Sequence, residues 1–190
     1  MPFGKPLALY DQTVIRRPVP AVDPAWVART APGGQIRVPI YTLYHPAAPL
    51  TLTIQHNGVA SGRFGALPIT ALPWEPGCPC GLGPVADAAF FVGLMLPGVR
   101  RLILHDGAPT THALWLEGPE DSWVEVTRPQ GIAPRVQQGG GRRLWDEVMQ
   151  TWRRWEQLGR PRVEDLGVTV TPSAQWAWAW SSTTPLTASR

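Results

Sequence analysis

Apolar residues alternate with polar ones over 35–40 (QIRVPI) and more strictly over 50–55 (LTLTIQ), the period-two signature of half-buried strands. His56-Asn57-Gly58 supplies an Asn-Gly turn that leads the second run back into 59–64. Upstream, 8–15 holds a strand-like run ending in Val14-Ile15, which Pro18 and Pro20 keep from continuing, while 1–7 reads as frayed. Residues 23–30 predict a short helix, because Asp23 can cap it and Pro24 fits the first helical position, where no amide donor is needed. Pro32-Gly33-Gly34 ends it.

The pattern changes after residue 84. Residues 85–96 (VADAAFFVGLML) are apolar enough for a buried helix stopped by Pro97-Gly98, and strands are predicted over 99–105, 112–117 and 122–126. Residues 142–158 predict the strongest helix: Trp145, Val148, Trp152 and Trp155 recur at spacings of three and four and share one face. Asp146 and Glu147 lie early and Arg153 and Arg154 late, which suits the helix dipole, and Gly159 can cap the end. Residues 168–171 and 175–180 predict a closing hairpin, and strict alternation places Trp176, Trp178 and Trp180 on one strand face, as core or as a partner site. The last ten residues read as loose.

The 22 prolines and 19 glycines in 190 residues cut the chain into the short elements of an α/β or α+β protein. Turn formers crowd 73–84, which sets a boundary between units 1–75 and 76–190. Core packing is the expected role of the helical tryptophans, since a large apolar helix face ordinarily covers a sheet.

Charge and cysteine usage narrow the function classes. The formal net charge is +3, Lys5 is the only lysine, and the arginine pairs 16–17, 100–101, 142–143 and 153–154 are isolated, so no phosphate-tracking stripe exists and no nucleic-acid partner is expected. No run of about 18 apolar residues occurs and the amino terminus lacks the features of a secretion signal; a cytoplasmic protein without a membrane partner is expected. Cys78-Pro79-Cys80 is one residue short of the usual redox or zinc spacing, and His45, His56, His105 and His112 are scattered, so no metal site is expected. Gly139-Gly140-Gly141 precedes a helix but follows no apolar strand and has no lysine after it, so it reads as a flexible helix entry rather than an anion loop. Ser61, beside Gly62, reads as a strand bulge rather than a nucleophile, and Asp146-Glu147 and Glu164-Asp165 as helix-end and surface charges rather than an acid–base pair.

Several stretches resemble a known family. Tyr10-Asp11, Val19, Val22 through Val27 (VDPAWV) and Ala31 through Ile36 (APGGQI) are similar to the fourth strand, following helix and fifth strand of protein-L-isoaspartate O-methyltransferase-like proteins. Leu50 through Ile54, Gly58 and Ala60 through Phe64 resemble the strand pair that closes the sheet in those relatives. The second half resembles an extension carried by members associated with lanthipeptide and graspetide modification, through Leu96 to Arg101, Gly140 to Glu147, Trp155, Gly159-Arg160-Pro161 and Leu166 to Pro172.

The resemblance implies an α/β fold: a partial Rossmann-like methyltransferase sheet over 1–75, followed over 76–190 by a small α+β carboxyl-terminal domain carrying the Trp-rich helix. It also implies carboxylate methylation with S-adenosylmethionine, but the glycine-rich cofactor loop lies, in the family, upstream of the fourth strand, where nothing before Tyr10 is expected to supply it. Half a site forfeits the alignment of sulfonium, methyl and carboxylate. No catalytic residue is assigned. Arg16 and Arg17 stand where the family has small polar residues and are the candidate substrate-binding side chains. The expectation is therefore a noncatalytic peptide-binding or accessory protein that holds no cofactor alone, its exposed partial sheet associating with a partner. The partner is a separate cofactor-binding methyltransferase subunit or a peptide substrate, and homo-oligomers are compatible with the same edge. The alternative is the carboxyl-terminal part of a split S-adenosylmethionine-dependent aspartyl or isoaspartyl methyltransferase, and a truncated reading frame is the third reading.

Overall fold

The computed structural model describes residues 9–67, 86–105, 112–128, 134–183 and 185–186, with side chains at 103–105, 112, 113 and 128 left aside. Over these residues the protein is mixed α/β, with two sheets and three α-helices. Residues 1–7, the cysteines and the boundary at 73–84 lie outside the described residues.

Two compact units result, and they are not successive halves of the chain: one comprises 1–41, 47–67 and 163–189, the other 42–46 and 68–162. In the first, β1 (Tyr10–Val14), α1 (Pro24–Arg29) and β2 (Thr30–Ile40) form a parallel strand–helix–strand unit. Asp23 caps α1 through its carboxylate oxygen, which accepts from the Ala25 amide at 2.8 Å, with Pro24 at the first turn as the sequence predicts. Three further strands, β3 (Ala48–Ile54), β4 (Ala60–Phe64) and β9 (Leu166–Val170), follow antiparallel, and β10 (Gln175–Ala179) ends the sheet in the order β1-β2-β3-β4-β9-β10.

Period-two alternation sets the register. Ile36, Val38 and Ile40 oppose Leu52, Leu50 and Ala48, and all six are buried. Gly58, at φ 77°, closes the turn expected at Asn57-Gly58, and its amide donates to the Gln55 carbonyl. The division at 75/76 assigns residues 163–189 to the carboxyl-terminal unit, whereas β9 pairs with β4 in the first sheet, Ala60 opposite Val170. Every residue of β9 is buried, and the strand lies inside the sheet between β4 and β10.

Ser61 differs from the expected bulge. It lies in an unbroken ladder between Thr53 and Thr169, its hydroxyl 2.9 Å from that of Thr169. Trp180 also departs from the alternation of Trp176 and Trp178: β10 ends at Ala179, and Trp180, at φ 64°, is exposed while Trp178 is buried.

The second unit places α2 (Ala86–Met95) and α3 (Leu144–Gln157) with a four-stranded antiparallel sheet of β5 (Arg100–His105), β6 (His112–Gly118), β7 (Ser122–Arg128) and β8 (Arg135–Gly139). One core joins Val92, Val99, Leu114, Leu116, Val124, Val126, Leu144 and Val148. The core-facing stripe of α3 runs through Leu144, Val148, Thr151 and Trp155, with Trp145 and Trp152 half-buried at its margins. Trp155 packs as expected of a core residue: its indole N–H donates to the Pro161 carbonyl at 2.9 Å. Among the described residues no helix is long and apolar enough to cross a membrane.

Candidate functional site

Two places in the first unit bear on function, at opposite ends of the parallel strand pair. At the carboxyl end of β1 the chain continues through Ile15, Arg16, Arg17 and Pro18, and both arginines are exposed. Neither makes a hydrogen bond, an ion pair or a ring contact among the described residues. The link from β1 to α1, residues 15–23 (IRRPVPAVD), contains no glycine, so no amide-lined turn of the phosphate-cradling type occurs there.

At the other end, Leu9, the first residues of α1, the start of β2 and the tips of two hairpins enclose a cleft of about 520 Å³. Its lining is largely apolar and includes Leu9, Ala25, Val27, Ile54 and Pro172. Of its polar groups, Thr30 is committed to the Trp26 carbonyl and the Thr13 hydroxyl. Thr171 is likewise committed, donating to the Ala174 carbonyl and accepting from the Ala174 amide. His56 at the rim has no partner among the described residues. Such a surface receives an apolar side chain or ring and offers one imidazole for orientation. Arg16 and Arg17 do not line it. The sequence predicts elements that supply these walls but not that they meet, because they come from distant segments.

The outer edge of β1, which runs between these two ends, is a further feature of the first unit. Ile15 donates its amide to the Arg37 carbonyl at 2.8 Å, so Thr13 and Ile15 face β2. By alternation, Gln12 and Val14 turn their N–H and C=O groups outward, away from the sheet. Leu9, Tyr10 and Val14 are 52%, 56% and 53% exposed. Among the described residues no strand pairs with this side of β1.

The glycine run at 139–141 is hydrogen-bonded in place rather than open to an anion. Gly141 donates to the Glu120 carbonyl, Arg142 to the Ser122 hydroxyl at 2.8 Å, and the Trp145 amide to the Gln138 side chain at 3.1 Å. The hydrogen-bonded Glu147 carboxylate holds the Arg142 guanidinium above its ordinary pKa, and the ion pair clamps the start of α3. In the same unit, burial pushes the Tyr44 phenol up to about 12, opposed by Arg101, whose guanidinium lies 5.5 Å from the ring centre. Tyr44 belongs to the core, so its shift follows from packing. Among the described residues no three His, Cys, Asp or Glu side chains gather as metal ligands.

Comparison of the chain with family models, curated proteins and solved structures finds no match.

Proposed function

We propose that this protein is a noncatalytic, methyltransferase-like accessory protein of the cytoplasm, whose β1 edge pairs with a strand of a separate S-adenosylmethionine-binding methyltransferase subunit. The observation that supports this reading is the outer edge of β1, unpaired among the described residues and flanked by the exposed Leu9, Tyr10 and Val14, in a parallel strand–helix–strand unit. A Rossmann-like sheet grows by adding parallel strands, and Gln12 and Val14 present the backbone groups that such a strand would take.

The residues at the carboxyl end of β1 do not fit the cofactor. Ligands of open α/β sheets bind at that end of the strands. Here Arg16 and Arg17 would bring two cations toward a sulfonium, and the glycine-free link offers no close backbone approach. Their natural complement is an acidic group, such as the carboxylate of a peptide substrate held at the joint site.

Val14→Pro tests the pairing. Proline removes the outward N–H and leaves the bonds to β2, which Thr13 and Ile15 make, so the fold is expected to persist. In sedimentation of the chain mixed with a cofactor-binding isoaspartyl methyltransferase subunit, wild type is expected to form a complex that the variant weakens at least tenfold. No complex with wild type, or equal complexes with both chains, would count against the proposal.

A further inference from the structure

The outer face of the four-stranded sheet carries a second recognition surface. Two Trp-x-Glu segments, Trp115-Leu116-Glu117 on β6 and Trp123-Val124-Glu125 on β7, run antiparallel. Alternation puts both tryptophans and both glutamates on the face opposite Leu114, Leu116, Val124 and Val126, which fill the core. The register sets Trp115 directly across from Glu125, and Glu117 directly across from Trp123. A turn with Glu120 and Asp121 at φ 61° and 51° fixes that register.

The two indoles stack on each other, with centroids 5.5 Å apart and planes 7° from parallel. Gly139 opposes Trp123 on β8, and a Cβ there would lie 2.8 Å from the indole nitrogen, so the missing side chain is what lets the ring lie across the strand. Glu117 accepts the Trp115 indole N–H at 3.1 Å, which orients that ring. Among the described residues the Glu125 carboxylate has no hydrogen bond or ion pair and no arginine covers either ring. Leu102, 38% exposed, lies opposite Trp115 and extends the apolar margin. Arg100 and Arg135 stand at opposite corners of the face.

We infer that this Trp115–Glu117–Trp123–Glu125 quartet binds an arginine side chain of a peptide or protein partner. Indole faces and carboxylates are both electron-rich, and their shared complement is a cation. A guanidinium suits this surface better than an ammonium because its plane stacks on an indole while its edge donates to a carboxylate. Phosphates and acidic peptides are disfavoured by the two glutamates. The inference rests on the second unit alone and holds whether or not β1 pairs with a partner strand.

The test is a titration of the full chain with the tripeptide Gly-Arg-Gly, capped at both ends, followed through the indole N–H resonances of Trp115 and Trp123 in a proton–nitrogen correlation spectrum. Saturable shifts confined to these two indoles are expected, with the capped lysine peptide binding more weakly and the capped glutamate peptide giving none. Glu125→Gln, which keeps the side-chain shape, is expected to weaken binding at least fivefold with the spectrum otherwise unchanged. Trp123→Ala is expected to abolish it. Absence of saturable shifts with the arginine peptide, equal affinity of Glu125→Gln and wild type, or tighter binding of the glutamate peptide would each overturn the assignment.

Discussion

Gly62→Ala is expected to destabilise the first unit by about 3 kcal/mol or more, the upper end of what overpacking a strand costs. Gly62 lies in β4 between Leu52 of β3 and Val168 of β9. A Cβ built on it falls 1.8 Å from the Thr51 carbonyl oxygen and 2.8 Å from the Leu52 Cα. Both are backbone atoms of a central ladder, so neither can rotate aside, and relief requires β3 and β4 to separate. Gly33→Ala is the control: Gly33 sits at φ 82° with nothing within 4 Å of the added carbon, so it carries only the left-handed backbone cost of about 1–2 kcal/mol. Thermal melts of the two variants separate the effects, because about 1 kcal/mol shifts the midpoint by roughly 2–4 °C in a chain of this size. A Gly62→Ala melt no lower than that of Gly33→Ala would show that the close approach does not constrain the sheet.

Trp155→Ala is expected to cost about 3–5 kcal/mol, the usual loss for deleting a buried aromatic. Trp155 is only 4% exposed, its ring lies 5.5 Å from that of Trp152, and its N–H donates to the Pro161 carbonyl. Trp155→Phe keeps most of the volume but leaves the Pro161 carbonyl without that donor, so about 1–3 kcal/mol is expected. Urea unfolding of both variants gives the comparison. A change below about 0.5 kcal/mol in the alanine variant, the range of ordinary surface substitutions, would mean that the indole is an exposed stacking surface.

Local signals in this sequence read well because they depend on neighbours in the chain. The Asp23-Pro24 helix start, the turn at Gly58 and the 3–4 spacing in α3 all match the structure, with helix α3 beginning at Leu144 instead of 142. That shift has a cause: the Arg142 amide is taken by the Ser122 hydroxyl of a neighbouring strand. Strand β8 (RVQQG) is not legible in the sequence because it is an edge strand with a single apolar residue, Val136, set opposite Val126. Periodicity gives a strand its faces but not its neighbours. The partnership of β4 with β9, more than a hundred residues apart, was therefore not legible.

The same limit applied to the sites. Arg16 and Arg17 are adjacent in the chain and so visible locally, whereas the apolar cleft is assembled from four separate stretches. The Trp115–Trp123 stack needs the register of β6 on β7 before its two glutamates come into view. Alternation alone showed only that each strand has a polar face.

At the carboxyl end of β1 stand the exposed Arg16 and Arg17, and the proposed accessory role requires that this end bind no S-adenosylmethionine in the isolated chain. Calorimetric titration of S-adenosylmethionine into the isolated chain addresses it directly: no saturable heat is expected at cofactor concentrations up to about 1 mM, a level at which binding is worth only about 4 kcal/mol. Saturable one-to-one binding in the micromolar range would contradict the assignment of a noncatalytic accessory role.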